Sequence, residues 1–119
     1  MKSIQFETKV ENPHFEGVFD VAPTELQDVR RDVVLIDVRE PEEFVGELGH
    51  IAGAQLIPLN TLPEQLSTLP QDQAVVFICR SGNRSAKAAA FALMNGWSQV
   101  YNLQGGMILW NNLTLPIER

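Results

Sequence analysis

The sequence holds one cysteine, one tyrosine and two histidines. A single thiol, Cys79, closes no disulfide within the chain and makes no zinc cluster by itself. No run approaches the roughly 18 apolar residues that cross a bilayer. The start, Met1 to Glu7, lacks the apolar stretch of a secretory leader. A reducing, cytoplasmic setting is therefore expected. Acid is also missing, but only locally: none occurs between Asp72 and Glu118. Residues 1–72 carry fourteen acids against five bases, whereas residues 73–117 carry only the bases Arg80, Arg84 and Lys87. A net charge of −6 disfavours nucleic acid and anionic membranes as partners. Yet this acidic chain keeps a cationic patch beside its only thiol, as a site for an anion would require.

What is present describes one α/β domain. The chain is 45% hydrophobic and 20% charged, which fits a globular domain and excludes a disordered or collagenous chain. There is no internal repeat. Residues 1–16 are polar, with a turn at Asn12-Pro13, and read as an N-terminal extension to a domain spanning 17–119. From there short apolar runs alternate with helical patterns. Val33 to Val38 and Ala74 to Ile78 are continuous runs rich in β-branched residues, as expected of strands covered on both faces. Shorter strands are predicted at Val18-Phe19, at residues 54–58 and at residues 99–103. Helices are predicted from Pro23, from Pro41 and over 62–68. The clearest covers 84–94, ended by Asn95-Gly96. A last helical turn or two follows Gly105-Gly106. Strands alternating with helices imply right-handed crossovers and a mostly parallel sheet of about five strands, with helices on both faces.

Ligands of open α/β sheets bind beyond the carboxyl ends of the strands. Cys79 stands there, after strand 74–78 and before helix 84–94. The segment Cys79-Arg80-Ser81-Gly82-Asn83-Arg84-Ser85 is thus a strand, a tight loop and a helix start. The first turn of a helix offers unpaired N–H groups and a partial positive charge, and binds anions. Gly82 and Asn83 are residue types that accept the backbone angles of a cradle. Arg80 and Arg84 add fixed charge. Cysteines in such surroundings act as thiolate nucleophiles. An inert core cysteine would leave the two arginines unexplained.

This loop resembles the active-site loop of the rhodanese (thiosulfate sulfurtransferase) family, single-domain type. Three further stretches resemble the family in the same order. Asp37-Val38-Arg39-Glu40, with Glu43-Phe44, is similar to its Asp-Val-Arg motif. Gly49-His50-Ile51-Ala52-Gly53-Ala54 is similar to its Gly-His-Ile-Pro-Gly-Ala signature, with Ala52 where proline is usual. Val100 to Gly106, with Trp110, is similar to its C-terminal motif. The resemblance implies that Cys79 takes a sulfane sulfur from a donor such as thiosulfate, becomes a persulfide, and passes the sulfur to cyanide or a thiol. Arg80, Ser81, Gly82, Asn83, Arg84 and Ser85 would bind the transferred sulfur and its donor. No metal or organic cofactor is implied.

The alternative is a carrier that passes sulfur from protein to protein, with incidental activity on thiosulfate. A regulatory module without catalysis is a weaker reading, given the intact cysteine. So is a rhodanese-like phosphatase or arsenate reductase, whose loop is one residue longer than the four residues between Cys79 and Arg84. Arg80 is expected to face outward and recruit anions, and Arg84 to brace the loop or pair with an acid. Asp37 and Arg39 are expected to form an ion pair supporting the loop. Glu43, four residues beyond Arg39, is placed to pair with it. Ser85 serves either the sulfur or the helix start. His50 is expected to be structural, and Phe77, Phe91, Trp97 and Trp110 to lie in the core.

Overall fold

The computed structural model describes residues 5–119. The first four residues of the expected extension, and of the stretch read for a leader, lie outside the described residues. One sheet of six strands has the order β1 (Val10–Glu11), β2 (Phe19–Val21), β6 (Val100–Leu103), β5 (Val75–Ile78), β3 (Val34–Asp37) and β4 (Gln55–Leu56). All neighbours are parallel except β1 and β2. The sequence predicts about five strands, and the additional one is β1. Its two residues are exposed, so they show no apolar alternation to read. Phe6 is also buried, edge-on to Tyr101 at 4.8 Å between ring centres. The Glu25 carboxylate accepts the amides of Glu7 and Thr8.

The α-helices among the described residues are α1 (Pro23–Val29), α2 (Pro41–Phe44), α3 (Leu62–Gln65), α4 (Asn83–Met94) and α5 (Gly106–Asn112), and α1, α3, α4 and α5 pack on the sheet. Successive side chains of a strand point to opposite faces, and β5 divides the core accordingly. Val75 and Phe77 pack with Leu62, Leu66 and the small residues Ala88, Ala89 and Ala92 of α4. Val76 and Ile78 pack with Leu26 of α1 and with Met107 and Trp110 of α5. Cys79 continues the alternation and falls on the α4 face. Alanines on α4 let that helix sit close to the sheet. Trp110 is fully buried and donates its indole N–H to the Pro116 carbonyl at 2.9 Å. Removing such a side chain costs about 3–5 kcal/mol. Among the described residues, no helix is long and apolar enough to cross a membrane.

Register then sets the site. Asp37 at the end of β3 lies opposite Ile78 at the end of β5. Asp37, Arg39 and Cys79 therefore emerge at one carboxyl edge of the sheet.

Candidate active site

The loop after β5 turns back on its own sulfur. Cys79 Sγ accepts a hydrogen bond from the Gly82 amide at 3.0 Å, and the Ser85 hydroxyl oxygen lies within donor reach of it at 3.1 Å. Gly82 precedes α4 with φ of 103°, a left-handed angle that favours glycine. Ser85 is the third residue of that helix, whose first amides have no acceptor one turn earlier. The sulfur thus lies at the positive end of a twelve-residue helix. The back of the loop is held from α5. The Met107 amide donates to the Cys79 carbonyl at 2.9 Å, and the Ile108 amide to the Arg80 carbonyl at 3.0 Å. A Cβ on Gly106 would stand 2.5 Å from both of those carbonyl oxygens, so this approach requires glycine.

The arginines divide into two kinds. Arg84 makes a bidentate pair with Glu43, at 2.7 and 2.8 Å. Its hydrogen bonds hold the Glu43 carboxyl down at about 2, and the carboxylate in turn raises the Arg84 guanidinium. Arg39 and Asp37 form a second bidentate pair, at 2.9 and 2.8 Å, buried on both sides. Arg39 also donates to the carbonyls of Gly49 at 2.7 Å and Glu43 at 3.2 Å. The expected side-chain pair of Glu43 with Arg39 is therefore replaced. Arg39 takes the Glu43 carbonyl, and the carboxylate reaches forty-one residues along the chain to Arg84. Glu43 also caps α2 by accepting the Glu40 amide. Arg80 is exposed, and among the described residues it forms no ion pair. It lines a cleft of about 300 Å³ together with Arg39, Glu42 and Glu47. Ser81 and Asn83 are exposed at the rim of the loop, while Cys79 itself is 1% exposed.

Two residues join the site that the sequence reading did not single out. Asn102 of β6 is buried and accepts the Ser85 hydroxyl, and Asp20 of β2 accepts from the Asn102 amide at 2.9 Å. The readable signal was an asparagine inside the run Val-Tyr-Asn-Leu, since asparagine is depleted in strands. His50 serves elsewhere. Its ring stacks on Phe44 at 3.8 Å, its Nδ1 lies 2.7 Å from the Phe44 carbonyl, and its backbone pairs with Glu118.

The chain matches the Rhodanese-like domain family over residues 22–113. A protein of Allochromatium vinosum named Sulfurtransferase is 42% identical over 86 residues, which cover 72% of this chain and 78% of that one. Thiosulfate sulfurtransferase GlpE of Ectopseudomonas mendocina is 34% identical over 99 residues, covering 82% of this chain and 88% of the relative. The crystal structure of a rhodanese-related protein from Thermoplasma volcanium aligns with a TM-score of 0.75 at 31% identity, over 82% of this chain and 94% of its own. The matched region takes in β5, the cysteine loop and the helix behind it, and the chain belongs to the rhodanese-like family.

Proposed function

We propose that this protein is a sulfurtransferase that carries sulfane sulfur on Cys79. The Cys79 thiolate attacks the outer sulfur of thiosulfate. A new sulfur–sulfur bond forms, the bond within thiosulfate breaks, and sulfite leaves with the electron pair. A thiolate or cyanide then attacks the terminal sulfur of the persulfide, giving a new persulfide or thiocyanate and returning the Cys79 thiolate. Charges balance at both steps, and the chain's own residues need move no proton.

The observation that carries this reading is the pair of donors on Sγ at the head of α4. Such preorganised donors stabilise negative charge on the sulfur where it develops. A loop with four residues between Cys79 and Arg84 suits one added sulfur atom. Arg80, which has no ion pair among the described residues, is the guanidinium that draws an anionic donor to the mouth. Arg84, held by Glu43, and Arg39, held by Asp37, shape the loop. Because the chain has no second cysteine, the sulfur leaves to an outside acceptor.

The test is the intact mass of the protein after incubation with thiosulfate. A gain of one sulfur atom on Cys79, removed by cyanide, is expected. An unchanged mass overturns the reading. Sulfur that loads but passes to a partner protein, and not to cyanide or small thiols, favours the carrier alternative.

A further inference from the structure

The hydrogen bonds around Ser85 cannot all be made at once. Asn102 donates through Nδ2 to Asp20 Oδ1 at 2.9 Å and to the Gly82 carbonyl at 3.1 Å. Both partners are acceptors only, so the amide cannot turn over without setting oxygen against oxygen. Its Oδ1 therefore faces the Ser85 hydroxyl. Asp20 is fixed in the same way. Asn12 Nδ2 donates to the same Asp20 oxygen at 3.0 Å, and the amides of His14 and Phe15 hold Asn12 Oδ1 in place. The Ser85 hydroxyl has one proton and two claimants: Asn102 Oδ1 and Cys79 Sγ. If the proton lies on Asn102, the sulfur meets an oxygen lone pair, which suits a thiol that donates its own hydrogen. If the proton turns to the sulfur, it suits a thiolate and leaves the Asn102 oxygen without a donor.

We propose that Asn102, clamped by Asp20, is a positioning residue that competes with the Cys79 sulfur for the single proton of Ser85. The buried carbonyl holds that proton while Cys79 is a thiol and yields it when the sulfur becomes an anion. Its effect is to restrain the anionic sulfur, which the Gly82 amide and the helix end favour. The proposal rests on the sulfur-transfer reading for its choice of Cys79 as the reacting atom. Asn12 and Asp20 both lie before residue 22, outside the stretch that matches the family. The residues preceding the matched domain thus reach the nucleophile through four side chains: Asn12, Asp20, Asn102 and Ser85.

The test measures alkylation of Cys79 by iodoacetamide in the purified full chain, at an acidic pH chosen from the wild-type rate profile so that only a small fraction of the sulfur is anionic. Asn102→Ala frees the Ser85 proton for the sulfur, and alkylation is expected to rise about tenfold, the size of one hydrogen bond to a charged group. The same substitution made together with Ser85→Ala is expected to give no rise over Ser85→Ala alone. That comparison separates proton competition from mere loosening, because a loosened site alkylates faster with or without the hydroxyl. Asn102→Leu keeps more of the side-chain volume and carries the same expectation should the alanine variant fail to fold. An unchanged or slower rate, or an equal rise in the Ser85→Ala background, overturns the proposal. Mass analysis of the same wild-type sample after thiosulfate reports separately on sulfur transfer, so failure of one reading is not mistaken for failure of the other.

Discussion

On the α2 side of the Cys79 loop the contacts are ionic. Asp37 holds Arg39, Arg39 ties down the Gly49 and Glu43 carbonyls, and Glu43 holds Arg84. On the β6 side the groups that reach the sulfur are neutral, the Gly82 amide and the Ser85 hydroxyl, with the Asn102 carboxamide behind that hydroxyl. The difference separates holding from tuning. A buried charge without its partner is costly, so ion pairs serve best where geometry must not change. A hydroxyl can rotate its proton at little cost, so it suits a sulfur that, in the function proposed above, changes charge during turnover. Arg80 stands outside both walls, exposed and, among the described residues, without an ion pair.

The largest effect is expected at Cys79, the proposed nucleophile. Cys79→Ser is expected to reduce sulfur transfer to background while leaving the circular dichroism spectrum and thermal midpoint close to wild type. Undiminished turnover would remove Cys79 from the mechanism. Next in size, Arg39→Ala leaves the Asp37 carboxylate buried without its partner. We expect a loss of about 3–5 kcal/mol in urea unfolding. A loss below about 1 kcal/mol would show that the ionic wall is not what holds this edge.

Arg80→Ala has the opposite signature. Stability should stay within about 0.5 kcal/mol. The apparent affinity for thiosulfate should fall about tenfold, the scale of one charge-assisted contact, with a smaller change for an uncharged acceptor. Equal effects on both substrates would remove Arg80 from anion recruitment.

The smallest effect belongs to the partly exposed clamp. Glu43→Gln should cost about 1 kcal/mol at neutral pH, the upper end for such pairs. Glu43 titrates lower in the folded protein than in the unfolded chain, so its contribution is fully present above about 4.5 and fades as pH falls toward about 2. The gap between wild type and Glu43→Gln should close over that interval. A gap that stays constant through it would mean that the carboxylate charge does not hold the loop.

The fold was readable where side chains reported their own environment. Runs such as Val75 to Ile78 are apolar at every position because both faces are covered. The alanines of α4 announce a helix packed closely on a sheet. By contrast β1 has two exposed residues, and it is extended through its pairing with β2. Cys79 and its loop were readable because strand, loop and helix are consecutive. The partners of that loop were not. Glu43 lies 41 residues from Arg84, and Asp20 lies 82 residues from Asn102. The nearer choice for Glu43 was Arg39, and spacing alone favoured it.

Residue order alone sets the alternation of elements, the place of Cys79 at a strand end, and the cationic character of the segment that follows. Each is a local property, carried by neighbouring residues through backbone preference and side-chain polarity. Tertiary packing settles which arginine is paired with an acid and which, among the described residues, is not, that α5 backs the loop through Gly106, and that Asn102 meets the Ser85 hydroxyl beside the sulfur. Those outcomes depend on parallel strands in register, which bring the ends of β2, β3, β5 and β6 to one edge. Distance along the chain carries no record of which groups meet there.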